Sequence, residues 1–243
     1  MEKVFSNFDL NESPVNKRRE FLKRGVILGA LTSVAGISLL TGCKEENEKG
    51  VSPAEDLMRE HGVLNRILLV YDTCRVNLVN EEQFSLNALN NSAQIIRSFI
   101  EDYHEKLEED FLFPRFEKAN KLTDLVQVLR NQHKVGRELT DLIIQFSKMK
   151  TNSNTDDTQK LIKLLTDFNI MYRPHEARED TILFPALRKI ISKNEYFALG
   201  EYFEDKEHEL FGEDGFEAMV EKVADIEKQL GIYDLSKFTP HLQ

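Results

Sequence analysis

Two stretches of the chain, HEKLEEDFLFP at residues 104–114 and HEAREDTILFP at residues 175–185, share the frame His-Glu-x-x-Glu-acid-x-x-Leu-Phe-Pro. They lie 71 residues apart, and two further histidines, His61 and His133, lie 72 residues apart. Each half of this repeat therefore has a lone histidine followed by a His-x-x-x-Glu pair. The sequence predicts a twofold arrangement that contains four of its six histidines.

The spacing inside each stretch places the chemically active side chains on one helix face. Residues four apart lie on the same side of a helix, so His104 points with Glu108 and His175 points with Glu179. The neighbouring positions on those faces are apolar, which directs the histidines toward a core. A carboxylate buried there is costly unless it is paired or bound to metal.

A metal site and a purely structural role are the two explanations for this pattern. In the structural alternative, four histidines form hydrogen bonds inside a bundle and the glutamates beside them lie at the surface. The constellation favours metal, because imidazole and carboxylate ligands in a helical bundle are typical of a non-haem dimetal site. We expect two iron ions there, before manganese or zinc.

Composition excludes several other classes of protein. The chain has 42 acidic and 32 basic residues among 243, a formal net charge of −10, so we expect no nucleic-acid partner. Its two cysteines are too few for a disulfide scaffold or a Cys-rich zinc site.

Helical periodicity dominates beyond residue 50, where Ser52 and Pro53 are typical of a helix start. Four long helices with short connections predict an all-α fold, an antiparallel up-down four-helix bundle over residues 52–192. A short C-terminal helical extension and tail follows at residues 193–243. The helices are expected at about 52–79, 85–118, 123–150, 158–192, 195–210 and 213–230, with disturbances at Pro114, Pro174 and Pro185.

Residues 1–43 have the features of an export signal and are set apart from the fold. The basic segment 17–24 resembles a twin-arginine signal, and the uncharged segment 25–42 ends at Cys43 in a sequence that resembles a lipobox. We expect lipidation of Cys43, a polar tether at residues 44–51 and a location at the bacterial cell envelope, in the periplasm or on the outer membrane face. A plain transmembrane anchor is the alternative.

With the fold, the histidines and the paired glutamates taken together, residues 52–192 resemble the hemerythrin-like (HHE cation-binding) domain. The resemblance implies a four-helix bundle that holds two irons. It implies that Glu108 and Glu179 bridge the metals, and that the terminal ligands are His61, His104, His133 and His175.

Two positions depart from the family pattern. Oxygen-carrying hemerythrins have a second histidine one turn after the one on the third helix, whereas this chain has Arg137 there. Some members use an acid five residues after the last histidine, so Asp180 competes with Glu179 as the bridge. The matching spacing of Glu108 in the other half of the repeat favours Glu179.

Four histidines and two bridging carboxylates leave at least one position open on each of two octahedral metals. An open position suits O2, NO or peroxide. Two functions therefore remain open: a protein that binds O2 or NO or handles iron, and a di-iron oxidoreductase acting on O2, peroxide or NO. A helical scaffold with fortuitous histidines is a third hypothesis.

Three more residues are candidates for subsidiary roles. Glu105 and Glu176 each follow a ligand histidine and are expected either to contact ligands or to be exposed. His208 is a candidate fifth nitrogen ligand, although a solvated or capping role is expected more often at such a position. His241, near the C-terminus, is not expected to bind metal.

Overall fold

The computed structural model describes residues 51–148 and 155–240, and within these ranges all regular secondary structure is helical. The predicted all-α class is therefore confirmed. Six helices follow one another within the described residues: α1 (Pro53–Val79), α2 (86–118), α3 (Thr123–Ser147), α4 (155–190), α5 (Lys193–Phe211) and α6 (Gly215–Gln229), before a short 3-10 turn (Leu235–Phe238).

Helix α1 begins where the sequence predicts. The Ser52 hydroxyl accepts a hydrogen bond from the Glu55 backbone N–H at 3.3 Å, and Pro53 occupies the first turn, where its missing N–H costs nothing. Ser192 caps α5 in the same way, by accepting from the N–H of Glu195 at 3.2 Å.

Helices α2 and α4 each contain a wide π turn just before the proline of the repeated frame. The turns span Glu108–Leu112 and Glu179–Leu183, so each begins at a paired glutamate. In each turn the N–H that precedes the proline donates five residues back, to the carbonyl of that glutamate. Since proline has no N–H for the ordinary helical bond, a wider turn lets the helix continue through Pro114 and Pro185. Helix α4 also continues through Pro174.

The four long helices pack as a helical bundle. Helix α1 contacts α2 and α4, and α3 contacts the same two helices. Aromatic side chains fill much of the core between them, including Tyr71, Tyr103, Tyr172, Phe99, Phe113, Phe116, Phe168 and Phe184.

Helices α5 and α6 both pack against α1. Arg66 on α1 forms a two-pronged ion pair with Glu227 on α6, with nitrogen–oxygen distances of 2.9 and 2.6 Å. The C-terminal helices thus lie against the same helix that carries His61. The predicted domain boundary at residue 192 coincides with the cap of α5 and stays a prediction.

The predicted N-terminal features lie outside the described residues. These are the export signal, Cys43 and the tether through residue 50, and His241 lies outside them as well. Among the residues that the structure describes, no helix combines the length and apolar character needed to cross a membrane.

Candidate metal centre

Six residues from the four long helices meet inside the bundle, and all six are the ones that the repeat singles out. Each is at most 4% exposed. They are His61 on α1, His104 and Glu108 on α2, His133 on α3, and His175 and Glu179 on α4.

One group of four donors consists of Glu108, His133, His175 and Glu179, whose ligand atoms lie within 4.8 Å of one another. The Nε2 atoms of His133 and His175 are 3.3 Å apart, and Nε2 of His175 is 3.1 Å from Oε1 of Glu179. Two donors about 2.1 Å from one ion and at right angles to each other would lie about 3 Å apart. These distances therefore suit ligands of a common ion.

A second group adds His61 and His104 and shares Glu179 with the first. Oε2 of Glu179 is 3.4 Å from Nε2 of His61, whereas its Oε1 faces His175. Glu108 also lies between the groups, since its Oε2 is 3.7 Å from Nε2 of His104 and 3.4 Å from that of His133. Both carboxylates thus lie between the two pairs of histidines.

Every histidine of the centre has a hydrogen-bond partner at Nδ1, the nitrogen that faces away from the two groups. A ring that donates from Nδ1 keeps the Nε2 lone pair free for a metal, and such partners orient metal-binding histidines. The pairs are His61 with Asp180 (2.8 Å), His104 with Glu60 (2.6 Å), His133 with Glu109 (3.1 Å) and His175 with Gln132 (3.0 Å).

The Nδ1 partners follow the same twofold repeat as the ligands. Glu109 and Asp180 each come directly after a paired glutamate and reach the lone histidine of another helix. Glu60 and Gln132 each come directly before a lone histidine and reach the histidine of a His-x-x-x-Glu pair. Glu60, Glu109 and Gln132 are not among the residues predicted from the sequence, although their matching places in the two halves are a usable signal.

The two shared carboxylates lack compensation from protein hydrogen bonds. Both oxygens of Glu108 and both of Glu179 are buried without a hydrogen-bond partner. Burial and the charge of Glu179 raise the pKa of Glu108 well above its usual range. Buried ionised carboxylates left unpaired are costly, whereas a cation between them would supply the missing interaction.

The histidine pKa values respond to burial and to the carboxylates in opposite directions. Burial lowers the pKa of His104 well below its usual range and that of His133 to about 4. For His61, burial is outweighed by the hydrogen bond to Asp180 and by the charge of the Glu179 carboxylate nearby, which raise its pKa to about 10. A metal ion would therefore displace a proton from His61 but find His104 and His133 already neutral.

The remaining candidates take other places. Asp180 touches His61 but stands outside both donor groups, whereas Glu179 belongs to both. Glu105 accepts from the Tyr172 hydroxyl at 2.7 Å, and Glu176 accepts from the amide of Asn65. His208 lies on the exposed face of α5 and belongs to neither group.

Arg137, in the place of the family's additional histidine, does not point a donor at the centre. Its guanidinium lies 2.8 Å from Glu105 and 2.7 Å from Glu109, so it neutralises carboxylates that border the centre. The preceding Gly136 is packed against Tyr172, because a Cβ there would come within 2.8 Å of the ring carbon Cζ. The absence of a side chain at Gly136 therefore provides room for the Tyr172 ring.

Comparison with known proteins identifies a family of cation-binding domains. The family described as hemerythrin HHE cation binding domain matches residues 52–187. The proteins Mb2018 of Mycobacterium bovis and Rv1995 of Mycobacterium tuberculosis, both described as uncharacterized, are each 47% identical to this chain over 228 residues. The match covers 88% of this chain and 89% of each relative. No solved structure matches the chain significantly.

Proposed function

Because the chain belongs to the hemerythrin HHE cation-binding domain family, we propose that it is a non-haem di-iron protein. The proposal places two irons in the two donor groups, with Glu108 and Glu179 as bridges and the four histidines as terminal ligands. We also propose that the four long helices run antiparallel to one another, in an up-down order. Iron bound there supplies redox chemistry and positions for small ligands.

The observation that carries the proposal is the pair of donor groups that share Glu179. A single structural ion would need one closed group of four donors, and structural zinc sites are usually rich in thiolate. Here the donors are imidazole and carboxylate, and the described thiol, Cys74, is buried outside both groups. Imidazole and carboxylate together suit iron, with manganese and zinc as competitors.

The first function that we propose is binding of O2 or NO, or iron handling, at the cell envelope. Arg137 is held by Glu105 and Glu109, so no fifth histidine from α3 fills a metal position. Apolar rings line the centre: Phe184 stacks on His61 and Phe113 stacks on His133, with centroid distances of 5.5 Å in both cases. Each of these rings covers one face of an imidazole.

The alternative that we propose is a di-iron oxidoreductase acting on O2, peroxide or NO. The observation that favours it is the same departure at Arg137, since a centre with fewer histidines leaves more positions for a reacting ligand. A stable complex with O2 would support the O2-binding function, whereas turnover or rapid oxidation of the iron would support the oxidoreductase.

The envelope location rests on residues 1–43 alone. We propose that the twin-arginine-like segment exports the folded protein and that lipidation of Cys43 anchors it. The Cys43→Ser variant of the full chain is expected to leave the membrane fraction, as detected by immunoblotting. Unchanged membrane association would overturn the lipid anchor.

The metal centre is tested by loading with ferrous iron under anaerobic conditions, followed by metal analysis and, after oxidation by air, an optical spectrum. We expect two irons per chain in the native protein and loss of iron and its near-ultraviolet band in His104→Ala. The matched control is His208→Ala, which removes an exposed histidine outside the centre and should keep both irons. A correctly folded native protein with no affinity for iron would overturn the proposal.

A further inference from the structure

A second cluster of buried acids lies beside the candidate metal centre. Asp56 and Glu60 stand one turn apart on α1, and Glu207 reaches them from α5. One carboxylate oxygen of each lies within 4.8 Å of the other two. All three residues are less than 9% exposed, so water cannot fully solvate their charges.

Glu60 has one oxygen that the protein leaves without a partner. Its Oε2 accepts from Nδ1 of His104 at 2.6 Å, while its Oε1 is buried and makes no hydrogen bond. The Tyr103 hydroxyl lies beside the Glu60 carboxylate, and it donates a hydrogen bond of 3.4 Å to the carbonyl of Phe203. Glu60 therefore has a buried oxygen, Oε1, whose negative charge no hydrogen bond compensates.

Protein cations compensate the cluster only in part. Arg59 reaches Asp56 at 3.5 Å from the partly exposed rim and also lies 3.8 Å from Glu217. Oε1 of Glu207 accepts the backbone N–H of Phe216 at 2.8 Å, a bond that carries no full charge. Burial and the charges of Glu60 and Glu207 raise the pKa of Asp56 to about 7. The guanidinium of Arg59, which also interacts with Glu217, therefore compensates only part of the charge of the three acids.

We propose that Asp56, Glu60 and Glu207 bind a hard divalent cation at a third site, separate from the dinuclear centre. Its donors are carboxylate oxygens only, which suits Mg²⁺, Mn²⁺ or Ca²⁺ better than a metal that prefers nitrogen. Such ions commonly keep part of their water shell, and the slight exposure of Asp56 and Glu207 leaves a side for water.

The third site would connect the C-terminal helices to the centre. Glu60 presents one oxygen to His104 and the other to the cation, so the cation would hold the carboxylate in place as the acceptor for His104. Glu207 comes from α5, beyond the residues that match the family. The third site therefore requires that α5 of the C-terminal extension pack against α1.

The probe for this site is Mn²⁺ added to the iron-loaded full chain and followed by electron paramagnetic resonance. We expect one Mn²⁺ per chain beyond the irons, with affinity reduced at least 10-fold in Glu207→Gln. The glutamine keeps a carbonyl oxygen for the Phe216 N–H, and a thermal melt checks that the variant folds. Glu201→Gln, on the exposed face of the same helix, is the matched control and should bind as the native protein does.

Equal Mn²⁺ binding by Glu207→Gln and the native protein would overturn the third site, as would no Mn²⁺ binding beyond the irons. A second variant, Asp56→Asn, must show the same loss as Glu207→Gln. If the protein takes up no iron, the titration is repeated on the iron-free chain alongside His175→Ala. On the iron-free chain we expect Glu207→Gln to bind one Mn²⁺ fewer than the native protein, whereas His175→Ala should still bind that ion at the third site. This outcome does not depend on whether the protein binds two irons.

Discussion

Each histidine of the centre is oriented by the residue that binds its second ring nitrogen. Three of these residues are acids, Glu60, Glu109 and Asp180, whereas His175 is held by the neutral amide of Gln132. An acid makes the imidazole a stronger donor to metal than an amide does. The two halves of the centre therefore differ at the position of Glu60 and Gln132, despite the repeat in the chain.

Removal of one such partner should weaken metal binding without removing a ligand. For Asp180→Ala we expect iron affinity to fall by about 10- to 100-fold, because His61 loses the acceptor that fixes its ring. Competition with a chromophoric chelator measures the affinity.

Asp110→Ala is the control for this change, since Asp110 is exposed on the equivalent turn of α2. We expect its affinity to match that of the native protein. If Asp180→Ala binds iron as tightly as Asp110→Ala does, the hydrogen bond to His61 has no role in holding the metal.

At the scale of elements, α3 and α4 approach each other closely at Gly136. The Tyr172 side chain of α4 lies against the α3 backbone there and donates to Glu105 on α2, so one residue joins three helices. A side chain at position 136 would push Tyr172 away from this bond and from His175, whose ring centroid is 5.5 Å from that of Tyr172.

Gly136→Ala should therefore destabilise the protein, by about 1–3 kcal/mol as for other overpacked cores. Gly62→Ala should have the opposite effect. Gly62 lies inside α1, and a Cβ added there would have no atom within 4 Å. Alanine at this position should therefore stabilise the protein by up to about 1 kcal/mol. Urea unfolding of the iron-free protein measures both. Equal shifts in the two variants would contradict the close packing of Tyr172 on α3.

Helix boundaries show how far local sequence predicts the elements. Ser52 and Ser192 cap true helix starts, because a side-chain acceptor satisfies backbone N–H groups that a helix leaves free where it begins. The sequence predicts the start of α4 at residue 158, but the helix begins at Thr155, within a polar stretch whose composition is typical of a loop. At Pro114 and Pro185 the sequence predicts only a disturbance, since proline shows where a helical bond is missing but not how the backbone compensates.

For the molecule as a whole, the bundle concentrates buried acids around the centre. Glu108, Glu179 and Glu60 all have buried oxygens without hydrogen bonds. Folding without metal must therefore bury charge or take up protons, and both reduce the free energy of unfolding of the iron-free protein. Metal that binds the folded state alone reverses this loss.

Iron loading should consequently raise thermal stability. At free Fe²⁺ about 100-fold above the dissociation constant, one site adds about 2.7 kcal/mol to the free energy of unfolding. Anaerobic calorimetry of the native protein should show a higher Tm with iron and its return to the iron-free value after chelation. In Glu108→Ala the increase should be much smaller. A Tm that does not respond to iron in the native protein would contradict a metal site built into the fold.

The sequence alone predicts the all-helical class and the six residues that meet at the centre. It does so because helical periodicity, the i, i+4 spacing and the twofold repeat can all be read from the order of residues. The partners of those residues become visible only in the packed molecule. Asp180 meets His61 across 119 positions of sequence, and Arg137 meets acids of another helix instead of the centre. Packing also joins Asp56 and Glu60 to Glu207. These contacts depend on which helices lie side by side and how deeply each face is buried, and that is set by packing of the entire chain.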